Sequence, residues 1–197
     1  MPAPPFVGLT GGIGAGKSEA LAALARLGAA TISADGVVHE LYADPEIRSA
    51  VVARWGEEVV PDGTVDRAAI AGRAFADADE RAWLEGIIWP KVGERIAEWR
   101  AAESQRRPAP PALVVETPLL FEAGLESAYD VTIAVVADED VRARRAAERG
   151  HEAVDERTAR QLTQEQKAQR ATFAIENSGS IQELESKLSA VLDKLKA

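Results

Sequence analysis

Five short runs of aliphatic and β-branched residues, separated by segments with helical periodicity, predict an α/β fold with a five-stranded parallel sheet flanked by helices. Two further observations refine it. A turn carrying Gly11, Gly12, Gly14 and Gly16 joins the first run to the first helix, and the long stretch 37–107 has no convincing strand pattern. The expected organisation is therefore a sheet core from 1–36 and 108–197, with 37–107 as a helical insertion.

In chain order, the first strand is Phe6–Thr10 and the first helix is Glu19–Leu27, with Leu21, Leu24 and Leu27 on one side. Gly28 stands just past its end, where a left-handed residue closes a helix. The second strand is Ala30–Ser33. Within 37–107, Asp66 caps a helix reaching about Phe75, and Pro90 suits the first turn of another with Val92, Ile96 and Trp99 as its stripe. All four tryptophans (Trp55, Trp83, Trp89, Trp99) fall in this stretch and are read as packing it. Pro108-Ala109-Pro110-Pro111 breaks the chain before the third strand, Leu113–Glu116. Val131–Val136 and Phe173–Ile175 are the fourth and fifth strands. Helices from Asp138, from Asp155 to about Arg170, and from a Ser180–Glu183 capping box complete the reading, the last with Leu184, Leu188, Val191 and Leu195 on its apolar face.

The bulk properties bound the function. A length of 197 residues and a hydrophobic share of 46% suit one ordinary domain with an insertion. Without cysteine there are no disulfides, thiolate metal sites or cysteine nucleophiles. No signal-peptide pattern and no membrane-length apolar run is seen, so a soluble cytoplasmic protein is expected. The net charge of −9 argues against a broad nucleic-acid surface, yet residues 141–170 hold eight Arg or Lys against five Asp or Glu. That local excess of +3 suits an anionic small molecule, or equally a solvated helix face. His39 and His151 lie in different neighbourhoods and suggest no histidine metal site or Ser-His relay.

Gly11-Gly12-Ile13-Gly14-Ala15-Gly16-Lys17-Ser18 fits the phosphate-loop pattern G-x-x-x-x-G-K-[ST] in the required strand–turn–helix context. Its glycines let the backbone curl so that successive N–H groups point at phosphate oxygens, and the following helix adds the positive end of its dipole. Lys17 supplies a cation for the β- and γ-phosphates, and the Ser18 hydroxyl can hold Mg²⁺. In a parallel sheet, ligands bind at the carboxyl ends of the strands. Asp35, just past the second strand, is then either a base for a hydroxyl acceptor or a helix cap. Glu116-Thr117-Pro118-Leu119-Leu120-Phe121-Glu122, past the third, reads by itself as a packed corner. Arg145 and Arg149, four apart on one helix face, are cations for a phosphoryl group in transfer. The two basic helices of 142–170 look like a lid that excludes water from the nucleotide.

Together these motifs resemble the dephospho-coenzyme A kinases from Val7 to about Leu195. The resemblance rests on L-T-G-G-I-G-A-G-K-S, on A-D at Ala34-Asp35, on P-L-L-F-E at 118–122 and on R-x-x-x-R-G ending at Gly150. Gln161, Lys167 and the Asn177-Ser178-Gly179 turn extend it. It implies a P-loop core like that of nucleoside-monophosphate kinases, with ATP and Mg²⁺ as cofactors and dephospho-coenzyme A as acceptor, phosphorylated on its ribose 3′-hydroxyl in the last step of coenzyme A synthesis. It implies Asp35, Lys17 and Arg149 as catalytic residues, and Gly11 through Glu19, Arg145 and Asn177 around ATP. Ser18 would hold the metal, with Asp35, Leu119, Phe121 and Glu122 at the acceptor. No nucleic-acid or membrane partner is implied, and a monomer is expected. The chain departs from the family pattern at Ser33, where Asp is usual, at Trp89, where His commonly precedes the proline, at Glu116 in place of Asp, and at Thr172. Other small-molecule or nucleoside-monophosphate kinases, and a non-catalytic nucleotide-binding relative, share the core and remain open at this stage.

Overall fold

A computed structural model describes residues 3–148 and 161–196. The chain forms two compact units, Ala34–Trp99 and a larger one made of Met1–Ser33 with Arg100–Ala197.

The larger unit holds a five-stranded sheet whose pairings are all parallel: β1 (Phe6–Gly11), β2 (Ala30–Ser33), β3 (Leu113–Glu116), β4 (Val131–Val136) and β5 (Phe173–Glu176). Their order is β2-β3-β1-β4-β5, so the most buried strand, β1, is central. Its alternation decides the two faces. Val7 and Leu9 join Val114, Ile133, Val135 and Ile175 in an apolar layer against α1 (Lys17–Arg26) and the carboxyl-terminal helix Ile181–Lys196. Thr10 turns to the other face, where its Oγ1 donates to the Pro118 carbonyl at 3.1 Å. There the corner after β3 folds so closely on β1 that a side chain at Gly8 would strike Leu120.

The five strands match the sequence reading to within one residue at either end. The helices need corrections. In α1 the buried stripe is Ala20, Ala23 and Leu24, while Leu21 and Leu27 only flank the core, because small residues let the helix lie close to the sheet. Gly28 closes α1 at φ 92° as expected. The helix foreseen over Asp155–Arg170 does not reach that length within the described residues. Thr163 caps a new helix, Gln164–Arg170, through a capping box with Gln166, and this starts the helix afresh.

The smaller unit is helical throughout: α2 (Ala34–Leu41), α3 (Pro45–Trp55), two short 3₁₀ turns, α4 (Arg67–Ala76) and most of α5 (Ala78–Ser104). Asp66 caps α4 as expected, accepting from the N–H groups of Ala68 and Ala69. Pro90 does not begin a helix; it lies within α5. Trp55 is buried, edge-on to Trp83, and donates its Nε1–H to Glu80 at 2.7 Å. Trp89 departs from the packing role, being 54% exposed. Among the described residues the remaining helices are, in chain order, α6 (Glu139–Glu148), α7 (Gln164–Arg170) and α8 (Ile181–Lys196).

Candidate functional site

The phosphate-loop sequence forms the turn from central β1 into α1. Gly14 and Gly16 sit at φ 74° and 92°, the left-handed region that other residues adopt only at a cost. Gly16 is the N-cap of α1 and makes no side-chain cap, so the first turn of the helix leaves its N–H groups for an anion. Lys17 Nζ lies back over the loop, 3.1 Å from the Gly12 carbonyl, and Ser18 is exposed in the first turn.

Three side chains from later in the sequence brace this loop. Asn177, 5% exposed after β5, donates its Nδ2–H to the Ala15 carbonyl at 2.9 Å. Arg145 Nη1 reaches the Asn177 carbonyl at 3.0 Å, and Arg142 Nε donates to the Ile13 carbonyl at 3.0 Å. Arg142 is also paired with Glu139 at 2.6 Å. Arg142 and Arg145 are one helical turn apart, so α6 turns both to the loop while Arg144 stays exposed. Arg142 is the residue the sequence reading missed at this site. Its spacing from Arg145 is the signal in the sequence, since residues three apart share a helix face as those four apart, such as Arg145 and Arg149, are expected to. Arg149 lies outside the described residues.

The other expected site residues divide. Asn177 is at the loop as a brace on its backbone. The Glu19 carboxylate pairs with Arg26 at 2.8 Å, as residues on one side of α1 can. Leu119 is 38% exposed, whereas Phe121 is buried under the Arg170 guanidinium. The Glu122 carboxylate is held by buried Lys167 at 2.9 Å and by the Leu162 N–H at 2.8 Å. Phe121 is thus packed in the corner after β3, and the Glu122 carboxylate is engaged by Lys167 and Leu162. Asp35 is exposed in the first turn of α2, in the smaller unit, two residues beyond the end of β2. The smaller unit also contains a cavity of about 290 Å³ bordered by Val37, Leu41 and Pro45, with Glu40, Asp44 and Arg95 at its polar side.

Two departures from the expected family pattern prove to be partners. Ser33 and Glu116 are neighbours in register at the carboxyl ends of β2 and β3. Ser33 Oγ donates to Glu116 Oε2 at 2.7 Å, so a hydroxyl stands where a second carboxylate would repel the first.

The dephospho-CoA kinase family model matches residues 5–183. The chain belongs to the dephospho-CoA kinase family. It is 38% identical over 195 residues to a dephospho-CoA kinase of Deinococcus radiodurans, a match covering 98% of this chain and 93% of that one. A solved structure from Thermus thermophilus superposes with a TM-score of 0.80 at 33% identity, with both chains covered completely. A dephospho-CoA kinase structure from Campylobacter jejuni, at 22% identity, shares the fold with a TM-score of 0.65 over 98% of this chain and 97% of that one. As a dephospho-CoA kinase family member, the chain is an ATP-dependent kinase. Among its described residues no helix is long and apolar enough to cross a membrane.

Proposed function

We propose that this kinase transfers the γ-phosphoryl group of ATP to the ribose 3′-hydroxyl of dephospho-coenzyme A, releasing coenzyme A and ADP as the last step of coenzyme A synthesis. The observation that carries the reading is the uncapped N-terminus of α1 at Gly16, with Lys17, Arg142 and Arg145 gathered at its loop, in a chain of this family.

The donor phosphates rest on the N–H groups from Gly14 to Ser18, and Lys17 and Arg145 meet the charge spreading over the γ-phosphoryl oxygens. Asp35 accepts the proton of the 3′-hydroxyl as the bond from that oxygen to phosphorus forms and the bond to the ADP oxygen breaks. Residues 37–107 supply the acceptor region, with Leu119 contributing from the corner after β3. The cavity beside Leu41 gives the helical unit a place for part of that ligand. Residues 142–170 act as the lid, Arg149 among them.

Among the described residues no cluster of three acidic or histidine side chains could hold a metal ion alone. The Ser18 hydroxyl would hold Mg²⁺, which keeps waters and binds mainly through substrate phosphates, and the ion would supply charge neutralisation at the β- and γ-phosphates. We take the working enzyme to be a monomer acting on small molecules in the cytoplasm.

The test is ADP formation with Mg²⁺-ATP across a panel of acceptors: dephospho-coenzyme A, nucleoside monophosphates and a no-acceptor control. Dephospho-coenzyme A should give the highest kcat/KM, and replacing Mg²⁺ by EDTA should abolish turnover. Faster turnover of any nucleoside monophosphate would overturn the acceptor assignment. The Asp35→Asn enzyme should keep its affinity for ATP while kcat falls roughly 10²-fold or more, the usual loss for a general base. A near-normal kcat in that variant would remove Asp35 from the chemistry.

A further inference from the structure

The proposed chemistry leaves unused a charge sealed inside the larger unit. Lys167, in α7, has no exposed surface. Its Nζ donates to the Pro118 carbonyl at 2.7 Å and pairs with Glu122 Oε1 at 2.9 Å. The same carbonyl accepts from Thr10 Oγ1 at 3.1 Å, and the same carboxylate oxygen accepts from the Leu162 N–H at 2.8 Å. One ammonium therefore links the residue that precedes Gly11 of the phosphate loop, the exit of β3, the corner beyond it and the chain entering α7. Burial pushes the Lys167 ammonium below its ordinary pKa, and Glu122 acts against that shift.

Packing stability does not account for such a pair. Removing two charges from water costs about as much as their attraction returns, and apolar side chains of similar volume commonly do as well or better. This pair is also incompletely satisfied, since Glu122 Oε2 is buried without a hydrogen-bond partner. What the pair does provide is fixed geometry at the strand ends, two residues beyond Glu116, where a parallel sheet meets its ligands.

We infer that Lys167 is a positioning residue for phosphoryl transfer, acting through Pro118 and Glu122 to hold the β3 exit in register with the phosphate loop while touching neither substrate. The inference rests on the kinase reading above. It is tested by kcat, both KM values and thermal melting of the wild type, Lys167→Met and the double variant Glu122→Leu/Lys167→Met. Lys167→Met leaves a buried carboxylate unpaired and should melt well below the wild type; the double variant removes both charges and should melt close to it. In both variants kcat should fall on the order of 10²-fold, with KM for ATP and for dephospho-coenzyme A within about threefold of wild type, the signature of misplaced rather than missing contacts. If Lys167→Met does not fold, the double variant decides alone. Wild-type kcat in a stable double variant would show that the pair serves stability only and overturn the inference. A raised KM for dephospho-coenzyme A at unchanged kcat would overturn it differently, by making Glu122 an acceptor contact. Absence of turnover in the wild type would overturn the kinase reading and the inference with it.

Discussion

Gly16 shows how little room the loop leaves for change. A Cβ built there would lie 2.2 Å from Asn177 Nδ2, the atom that holds the Ala15 carbonyl, and its φ of 92° is unfavourable for any side chain. Two separable costs follow for Gly16→Ala: a clash, and backbone strain of about 1–2 kcal/mol. The variant should bind ATP at least about tenfold more weakly in a nucleotide titration, because displacing Asn177 frees the carbonyl that shapes the nest. Adding Asn177→Ala relieves the clash but not the strain, so the double variant should lose less than the two single losses combined. Strict additivity would mean that Asn177 and Gly16 act independently. The family resemblance implies Asn177 near ATP, but its bond to the loop backbone was not legible. No one-dimensional pattern says that a side chain 162 positions away meets the backbone of Ala15. The same limit hid the partnership of Ser33 and Glu116, which look in sequence like two unrelated departures.

At the scale of elements, strands were easier to read than helices, and the reason is physical. β1, β3 and β4 are largely buried apolar runs, so they stand out in composition from the segments around them. Helix ends depend on caps, and a cap in the middle of a polar segment is easily overrun. Thr163-Gln164-Glu165-Gln166 carries the capping-box pattern, yet its basic neighbours favoured reading one long helix through it. Pro90 misled in the opposite direction, since it fits a first turn well and is tolerated inside α5. The join of β5 to α8 supports a prediction of its own. Glu176 accepts from Lys187 Nζ at 2.7 Å and from the Ser178 N–H at 2.8 Å, and these bonds lower its pKa from 4.5 to about 2. A carboxylate depressed on folding adds stability above its unfolded pKa, and that contribution is lost as the pH falls from about 4.5 towards 2. Lys187→Met should therefore lower Tm slightly at neutral pH, by an amount that shrinks as the pH falls towards 2 to what the Lys187 bond to the Glu176 carbonyl contributes; both side chains are solvent-exposed, so the effect is modest. A Tm difference that grows on acidification would contradict this account.

For the whole molecule, the decisive fact is the strand order. β2-β3-β1-β4-β5 puts the phosphate loop at the centre of the sheet, where the chain winds outward to both sides and where doubly wound folds bind their ligands. The parallel sheet and its five members were legible from alternation of strands and helices, but the order was not, because it is set by which helices cover which face. The sequence reading expects a helical insertion over 37–107, while the compact unit that follows β2 is Ala34–Trp99. The account's central claim is that the Gly11–Ser18 loop delivers the γ-phosphoryl group of ATP to the ribose 3′-hydroxyl of dephospho-coenzyme A. The most direct measurement is ³¹P NMR of a reaction holding the enzyme, Mg²⁺-ATP and dephospho-coenzyme A, run beside Lys17→Ala. The account predicts a new phosphomonoester resonance, assigned to the 3′-phosphate of coenzyme A and growing in step with ADP, and its absence with Lys17→Ala. Inorganic phosphate appearing in step with ADP while dephospho-coenzyme A is recovered unchanged would contradict it.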